Sequence, residues 1–220
     1  MFISKTILLI VSLFCISCRA QEILTQVNLT LYTEGLCPTC KQFIVTQLYP
    51  AAQVLGDSLV VEMVPFGAMG KFGDEWTCNH GPLECYLNSV DSCLINLKPS
   101  QIQLLSFASC HGKKTSIHKS QEETEAIVKE CAEENNVSWD DINKCLTDGT
   151  VETLLLANQE KTENAGADAY PDIRFFNSFF NNDLELSSLQ DLVATVCNFF
   201  TSFKGAKPSA CDEEFLNVKN

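Results

Sequence analysis

The run Val27-Asn28-Leu29-Thr30-Leu31-Tyr32, then Thr33-Glu34-Gly35-Leu36, then Cys37-Pro38-Thr39-Cys40 and the stretch from Lys41 to Tyr49, decides the fold. Val27 to Tyr32 alternates apolar and polar residues, which predicts a strand. Thr33 to Leu36 reads as a turn. From Lys41 onward Phe43, Ile44, Gln47 and Leu48 recur at helical spacing, so a helix is predicted that Pro50 ends or kinks. Ser58 to Val64 predicts a second strand. Strand, helix and strand in that order make a βαβ unit, whose strands run parallel with a right-handed crossover.

Further along, the character of the chain changes. Phe72 to about Gly166 is rich in cysteine and poor in strand signals. Helices are predicted at Leu94 to Ser109, at Gln121 to Glu134, from an N-cap at Ser138 through Cys145, and at Thr150 to Gln159. Strand character returns at Ile173 to Phe176 and near Ser178 to Phe180. Leu186 to Phe200 reads as a closing amphipathic helix, and Thr201 to Asn220 as a tail pinned at Cys211. The expected class is α/β, a thioredoxin-like fold interrupted by a disulfide-stapled helical insertion. Residues 21–71 and 167–211 would form the thioredoxin-like part, 72–166 the insertion, and 212–220 a tail.

The N-terminus reads as a signal peptide over residues 1–20. Lys5 precedes a short apolar run from Ile7 to Ile16, and Cys18 and Ala20 set small residues before a cut at Gln21. That run is too short to span a bilayer and no later one is long enough, so no membrane span is expected. Of the 12 cysteines, Cys15 and Cys18 would leave with the leader. An even set remains in an oxidising pathway, which implies a disulfide framework. The formal charge of −13 becomes about −15 once Lys5 and Arg19 are gone, because the leader holds no acid. Such an acidic chain is a poor partner for nucleic acid, whose phosphates need clustered Lys and Arg.

Cys37 and Cys40 are the candidate catalytic pair. A C-x-x-C that follows a strand and opens a helix inside a βαβ unit sits where a thioredoxin-like dithiol belongs. The helix N-terminus presents unpaired N–H groups and a positive dipole end, both of which favour a thiolate. Cys37, at the first turn, would attack a substrate disulfide, and Cys40 would resolve the mixed disulfide. Pro38 suits the first helical position, where its missing N–H costs nothing. A structural disulfide and half a zinc site are the competing readings. Zinc is disfavoured in an oxidising compartment, and no metal site is expected.

A second motif is more specific. Cys78 to Cys93 reads C-N-H-G-P-L-E-C-Y-L-N-S-V-D-S-C. It resembles the C-Q-H-G-x-x-E-C-x-x-N-x-x-x-x-C pattern of the gamma-interferon-inducible lysosomal thiol reductases, with Cys78, His80, Gly81, Glu84, Cys85, Asn88 and Cys93 matching and Asn79 in place of Gln. The resemblance extends to Leu31–Ile44, to Val64–Gly67 and to Cys197–Cys211. It implies reduction of protein disulfides at acidic pH, in endosomes or lysosomes or after secretion, with a small thiol as electron donor and no bound cofactor. It makes Cys37 and Cys40 the catalytic pair. Within 78–93 the cysteines are read as pairing inside the insertion, with His80 or Glu84 tuning the dithiol or substrate as the sharper alternative. Tyr170-Pro171 is the candidate for the cis-proline that thioredoxin-like enzymes set opposite the dithiol, where its backbone would receive substrate. The family pattern of P-W followed by N-G is replaced here by Pro171-Asp172 and Phe176-Asn177-Ser178.

Cys78, Cys85, Cys93, Cys110, Cys131, Cys145, Cys197 and Cys211 are thus the structural disulfide candidates, with pairing open. Asn136 and Asn28 head glycosylation sequons, Asn136 in a polar loop and Asn28 in a predicted strand. His111 and His118, among Lys113, Lys114 and Lys119, read as a solvated basic loop. The expected partners are disulfide-bonded proteins. The rival functions are a disulfide oxidase or isomerase using the same machinery, and a secreted, non-catalytic binding protein with an inert dithiol.

Overall fold

The computed structural model describes residues 24–176, 191–203 and 205–212. Strand β1 (Val27–Thr33) pairs in parallel with β2 (Leu59–Pro65), from Val27 opposite Leu59 to Thr33 opposite Pro65. On its other side β1 pairs antiparallel with β5 (Asp172–Phe175), Leu29 facing Phe175 and Tyr32 facing Asp172. β1 is therefore the middle strand of the sheet, and all its residues except Asn28 are buried. Burial on both faces is why its alternation is only partial.

The crossover is helical from Pro38 to Leu55. It comprises α1 (Pro38–Phe43), one π-type segment (Ile44–Leu48) and α2 (Tyr49–Leu55). Pro50 does not end this run. A proline ring crowds the carbonyl one turn back and offers it no N–H. The widened turn absorbs the conflict, with the Tyr49 N–H bonding to the Ile44 carbonyl five residues earlier.

After β2 comes a small exposed hairpin, β3 (Gly70–Phe72) and β4 (Glu75–Thr77), turned at Gly73 with φ +63°. The sequence reading has no strand here, because three-residue arms carry too little periodicity to detect. Then follow α3 (Pro82–Asn96), α4 (Gln101–Lys114), α5 (Gln121–Glu134), α6 (Trp139–Thr147) and α7 (Thr150–Ala165). The single helix expected at 94–109 is thus two. Lys98 takes φ +54°, Pro99 cannot continue a helix, and Ser100 opens the next one through a capping box with Gln103. α7 outruns its expected end and stops at Gly166, in the left-handed conformation. Ser138 caps α6 as expected. α8 (Leu192–Ser202) closes the order. The leader, the strand expected near 178–180 and residues 186–190 of the closing helix lie outside the described residues.

One apolar core joins the sheet to the helices. It runs from Leu29, Phe175 and Phe200 through Leu87 and Phe107 to Val128 and Ile142. Three disulfides staple it, Cys93–Cys145, Cys110–Cys131 and Cys197–Cys211, while Cys78–Cys85 packs on a smaller cluster of Phe66, Met69 and Leu155; the four bridges are those among the described residues. Cys197–Cys211 ties the tail to α8. His111 departs from its expected place in a solvated loop. It lies on α4, 3% exposed, with Nε2 3.0 Å from Oδ1 of Asp91 on α3. Its neighbours Lys113 and Lys114 occupy the last turn of α4, whereas His118 is exposed, with Lys119 beside it, in the loop that follows, as expected.

Candidate active site

The chain leaves β1 at Thr33 and enters α1 at Pro38, and this short passage places Cys37 as the N-cap of the helix. Pro38 takes the first helical position. The Cys37 sulfur accepts from the Cys40 N–H at 3.3 Å, as a capping hydroxyl would. Cys37 and Cys40 are both free thiols, 6% and 0% exposed.

Their surroundings drive the two thiols apart. Cys37 is drawn from the ordinary 9.0 down to about 6, first by a hydrogen bond from Cys40 and against burial, then by the N–H groups of Cys40 and Thr39; the Glu34 charge opposes the shift. Cys40 is pushed far up, first by burial and then by its place beside the Cys37 sulfur. One thiol is poised to ionise at mildly acidic pH, and the other is held as a proton donor to it.

The backbone just before Cys37 is clamped by α3. Oδ1 of Asn88 accepts from the Gly35 N–H at 2.9 Å, and Oε2 of Glu84 from the Leu36 N–H at 3.3 Å. Both side chains are buried. Asn88 also donates to the Phe66 carbonyl at 3.2 Å, so it ties the end of β2 to the same loop. Close packing leaves no room at Gly35, where an added Cβ would stand 2.6 Å from the Leu87 Cβ. Glu84 accepts from the His80 N–H at 3.0 Å, and its Oε2 lies 2.6 Å from His80 Nδ1. Glu34, 3% exposed, completes this group. Its Oε1 accepts from the Ala68 N–H at 2.9 Å and its Oε2 lies 3.5 Å from His80 Nδ1. Gly67, with φ +62°, has its backbone directly against the Glu34 side chain.

On the opposite wall the Tyr170–Pro171 peptide bond is cis, and the Tyr170 carbonyl lies 3.7 Å from the Cys37 sulfur, accepting from its thiol. Asp172, in the place of the family's Trp, holds Arg174 through two contacts at 2.8 and 2.7 Å. Arg174 in turn covers the Tyr32 ring at 5.3 Å and donates to the Ala165 carbonyl. Lys41, one turn into the helix, donates to the Thr115 carbonyl at 2.5 Å and is pulled down by burial, with the Cys37 charge acting the other way.

The structure thus brings together Cys37, Cys40, Tyr170, Pro171, Glu84, His80 and Asn88 of the residues singled out in the sequence. Among the described residues the eight other cysteines form the framework, and Cys78–Cys85 borders this region through His80 and Glu84 of the same segment. Asn136 is exposed in the loop between α5 and α6, at φ +53°. Asn28 is exposed on β1, but the Thr30 of its sequon is buried. Glu34 was missed. Its signal was a carboxylate at the strand-to-helix turn three residues before Cys37, in a stretch read only as a turn.

Comparison with known proteins agrees with this geometry. Residues 28–135 match the family described as gamma interferon inducible lysosomal thiol reductase. A gamma-interferon-inducible lysosomal thiol reductase of Carassius auratus is 29% identical, over 85% of this chain and 72% of its own. The mouse protein of the same name is 25% identical over 84% and 71%. GILT-like protein 1 of Drosophila melanogaster is 29% identical over 86% and 79%. Among solved structures, BdbD from Bacillus subtilis overlays with a TM-score of 0.57 at 14% identity, covering 82% of this chain and 89% of its own. MdbA from Actinomyces oris, a thiol-disulfide oxidoreductase, gives 0.57 at 17%, covering 84% of each. These two likenesses show the thioredoxin-like fold, and the sequence relatives carry the rest. A dithiol at the mouth of a βαβ unit, clamped by the side chains of a matching cysteine motif, makes this chain a thiol–disulfide oxidoreductase whose residues 28–135 are those of the gamma-interferon-inducible lysosomal thiol reductase family.

Proposed function

We propose that the chain reduces disulfide bonds in protein substrates through Cys37 and Cys40, at acidic pH in endosomes or lysosomes or after secretion. The observation that carries this reading is the opposite character of the two thiols at one helix N-terminus. A thiol of ordinary pKa near 8.5 is only ~0.03% ionised at pH ~5, whereas one near 6 keeps ~10% as thiolate. Cys37 can therefore remain a nucleophile in acid.

In the first step the Cys37 thiolate attacks one sulfur of the substrate disulfide. A Cys37–substrate bond forms, the substrate S–S bond breaks, and the leaving sulfur takes up a proton from solvent. In the second, Cys40 gives up its proton and attacks the Cys37 sulfur. The Cys37–Cys40 bond forms and the second substrate thiol leaves, so two electrons have passed from the dithiol to the substrate. The Tyr170 carbonyl beside Cys37, with Pro171 following, is the backbone against which the substrate strand would lie. A small thiol in the surroundings returns the oxidised pair to the dithiol, and no bound cofactor takes part. The Carassius auratus and mouse relatives are lysosomal thiol reductases by name, which supports the lysosomal setting. Among the described residues no helix is long and apolar enough to cross a membrane.

The test is reduction of a disulfide-bonded protein, with a small thiol present, by wild type and Cys37→Ser at pH ~4.5 and ~7. Wild type should act at the lower pH and Cys37→Ser should not rise above the small thiol alone. Equal rates for the two proteins would end the enzyme reading, and activity confined to neutral pH would end the acid one. Titrating the dithiol against glutathione then separates a reductase from an oxidase or isomerase.

A further inference from the structure

Two buried carboxylates and one imidazole stand together at the loop that leads into the attacking thiol. Glu34 and Glu84 are 3% and 1% exposed, and His80 lies between them, its Nδ1 2.6 Å from Glu84 and 3.5 Å from Glu34. Buried charge is tolerated only when it is paired and hydrogen-bonded. Glu84 is the better satisfied of the two, since it also accepts from the His80 and Leu36 N–H groups. Glu34 has the Ala68 N–H and the more distant edge of His80.

We propose that Glu34 is a positioning residue whose change of charge governs the reactivity of Cys37, with His80 and Glu84 fixing its carboxyl at that loop. The proposal rests on Cys37 being the attacking thiol and deepens that reading by assigning a pH-sensing element to it. Burial raises Glu34 above the ordinary carboxylate range, and the nearby Glu84 charge adds to this, while the Ala68 N–H and His80 act against it. Its ionised form opposes a thiolate at Cys37. The sign follows. As pH falls through the titration of Glu34, the opposing charge disappears while the Cys37 thiolate is becoming scarce. The thiolate population should then fall less steeply than the tenfold per pH unit of an isolated thiol.

The groups facing Glu34 from each packed element are few among the described residues. They are Cys37 on α1, His80 and Glu84 at the start of α3, the Asn79 amide beside them, and Tyr170 before β5, whose phenol is raised first by burial and then by Glu34. Asp168 and Asp172 face Tyr170 from beyond. Lys41 faces Cys37, and its ammonium is turned to the Thr115 carbonyl.

The experiment measures the rate of Cys37 alkylation against pH, read by peptide mass, in reduced wild type and Glu34→Gln. Glutamine keeps an acceptor for the Ala68 N–H and removes the charge. The variant should react about threefold or more faster below the Cys37 midpoint wherever Glu34 remains ionised, with the curves converging once Glu34 is protonated. Superimposed curves, or an offset constant at every pH, would overturn the proposal, because a structural disturbance alone has no reason to follow one titration. A reciprocal measurement needs no Glu34 variant. The ¹³C carboxyl shift of Glu34 is titrated in wild type and in Cys37→Ala. Linkage requires the Glu34 midpoint to fall when the thiol is removed, and an unchanged midpoint contradicts the coupling. Substrate reduction by wild type is run in parallel. Its failure would remove the reductase reading, while the alkylation curves judge Glu34 independently.

Discussion

Cys37 and Cys40 differ by three positions and by almost everything else. Cys37 caps a helix, touches the Tyr170 carbonyl and is lowered to about 6; Cys40 is wholly buried and raised. Their roles are therefore not exchangeable. Cys40→Ser should halt the reaction after the first step and accumulate a covalent adduct between Cys37 and the substrate, visible on non-reducing gels and released by a small thiol. An adduct through residue 40 in Cys37→Ser instead would reverse the assignment. Loss of the Cys40 side chain also removes the largest influence lowering Cys37. Alkylation of Cys37 in Cys40→Ala, which leaves no donor at that position, should accordingly require higher pH than in wild type. At the same scale, Asn88→Ala leaves the Gly35 N–H without its buried acceptor. About 1–3 kcal/mol of stability should be lost, together with activity beyond what that stability explains. Thermal melting and kcat/KM measured side by side distinguish the two.

At the scale of elements, the site is made by junctions. The exit from β1, the start of α1, the start of α3 and the approach to β5 converge, and each is pinned by a hydrogen bond to another. Gly67, in the turn that follows β2, is part of this arrangement. Its positive φ and the Glu34 side chain against its backbone leave no space for a methyl group. Gly67→Ala should cost about 1–3 kcal/mol and push Glu34 off His80, read as a lower Tm and an altered pH profile of Cys37 alkylation. The disulfides should contribute unequally. Cys93–Cys145 spans 52 positions and joins α3 to α6, whereas Cys78–Cys85 spans 7. Loop-closure entropy assigns about 4 kcal/mol to the first and about 2.5 to the second. Urea unfolding of the Cys93→Ala/Cys145→Ala and Cys78→Ala/Cys85→Ala pairs should rank them in that order.

Over the whole molecule, legibility followed the range of the interactions. The βαβ unit, the position of the dithiol on it and the cap at Ser138 are local patterns, and each stands where the residues put it. The division of the helix at Lys98–Ser100 was also written locally, in Pro99 and the Ser100–Gln103 capping box, but a continuous apolar pattern outweighed it. Contacts between distant segments were another matter. The pairing of eight cysteines, the clamp of Asn88 and Glu84 on the Gly35–Leu36 backbone and the burial of His111 against Asp91 depend on how α3 and α4 pack, and no sequence period encodes that. Glu34 belongs to the same class: its neighbours in space are residues 68, 80 and 84.

The central claim is that electrons pass from Cys37 and Cys40 to a substrate disulfide. A single-turnover measurement tests it most directly: fully reduced dithiol, with the framework intact, is mixed at acidic pH with a disulfide-bonded protein and no other thiol, then quenched and mapped by mass. One Cys37–Cys40 disulfide should appear for each substrate disulfide lost, with the four framework disulfides unchanged. Substrate thiols appearing while Cys37 and Cys40 remain reduced, or no exchange at all, would contradict it.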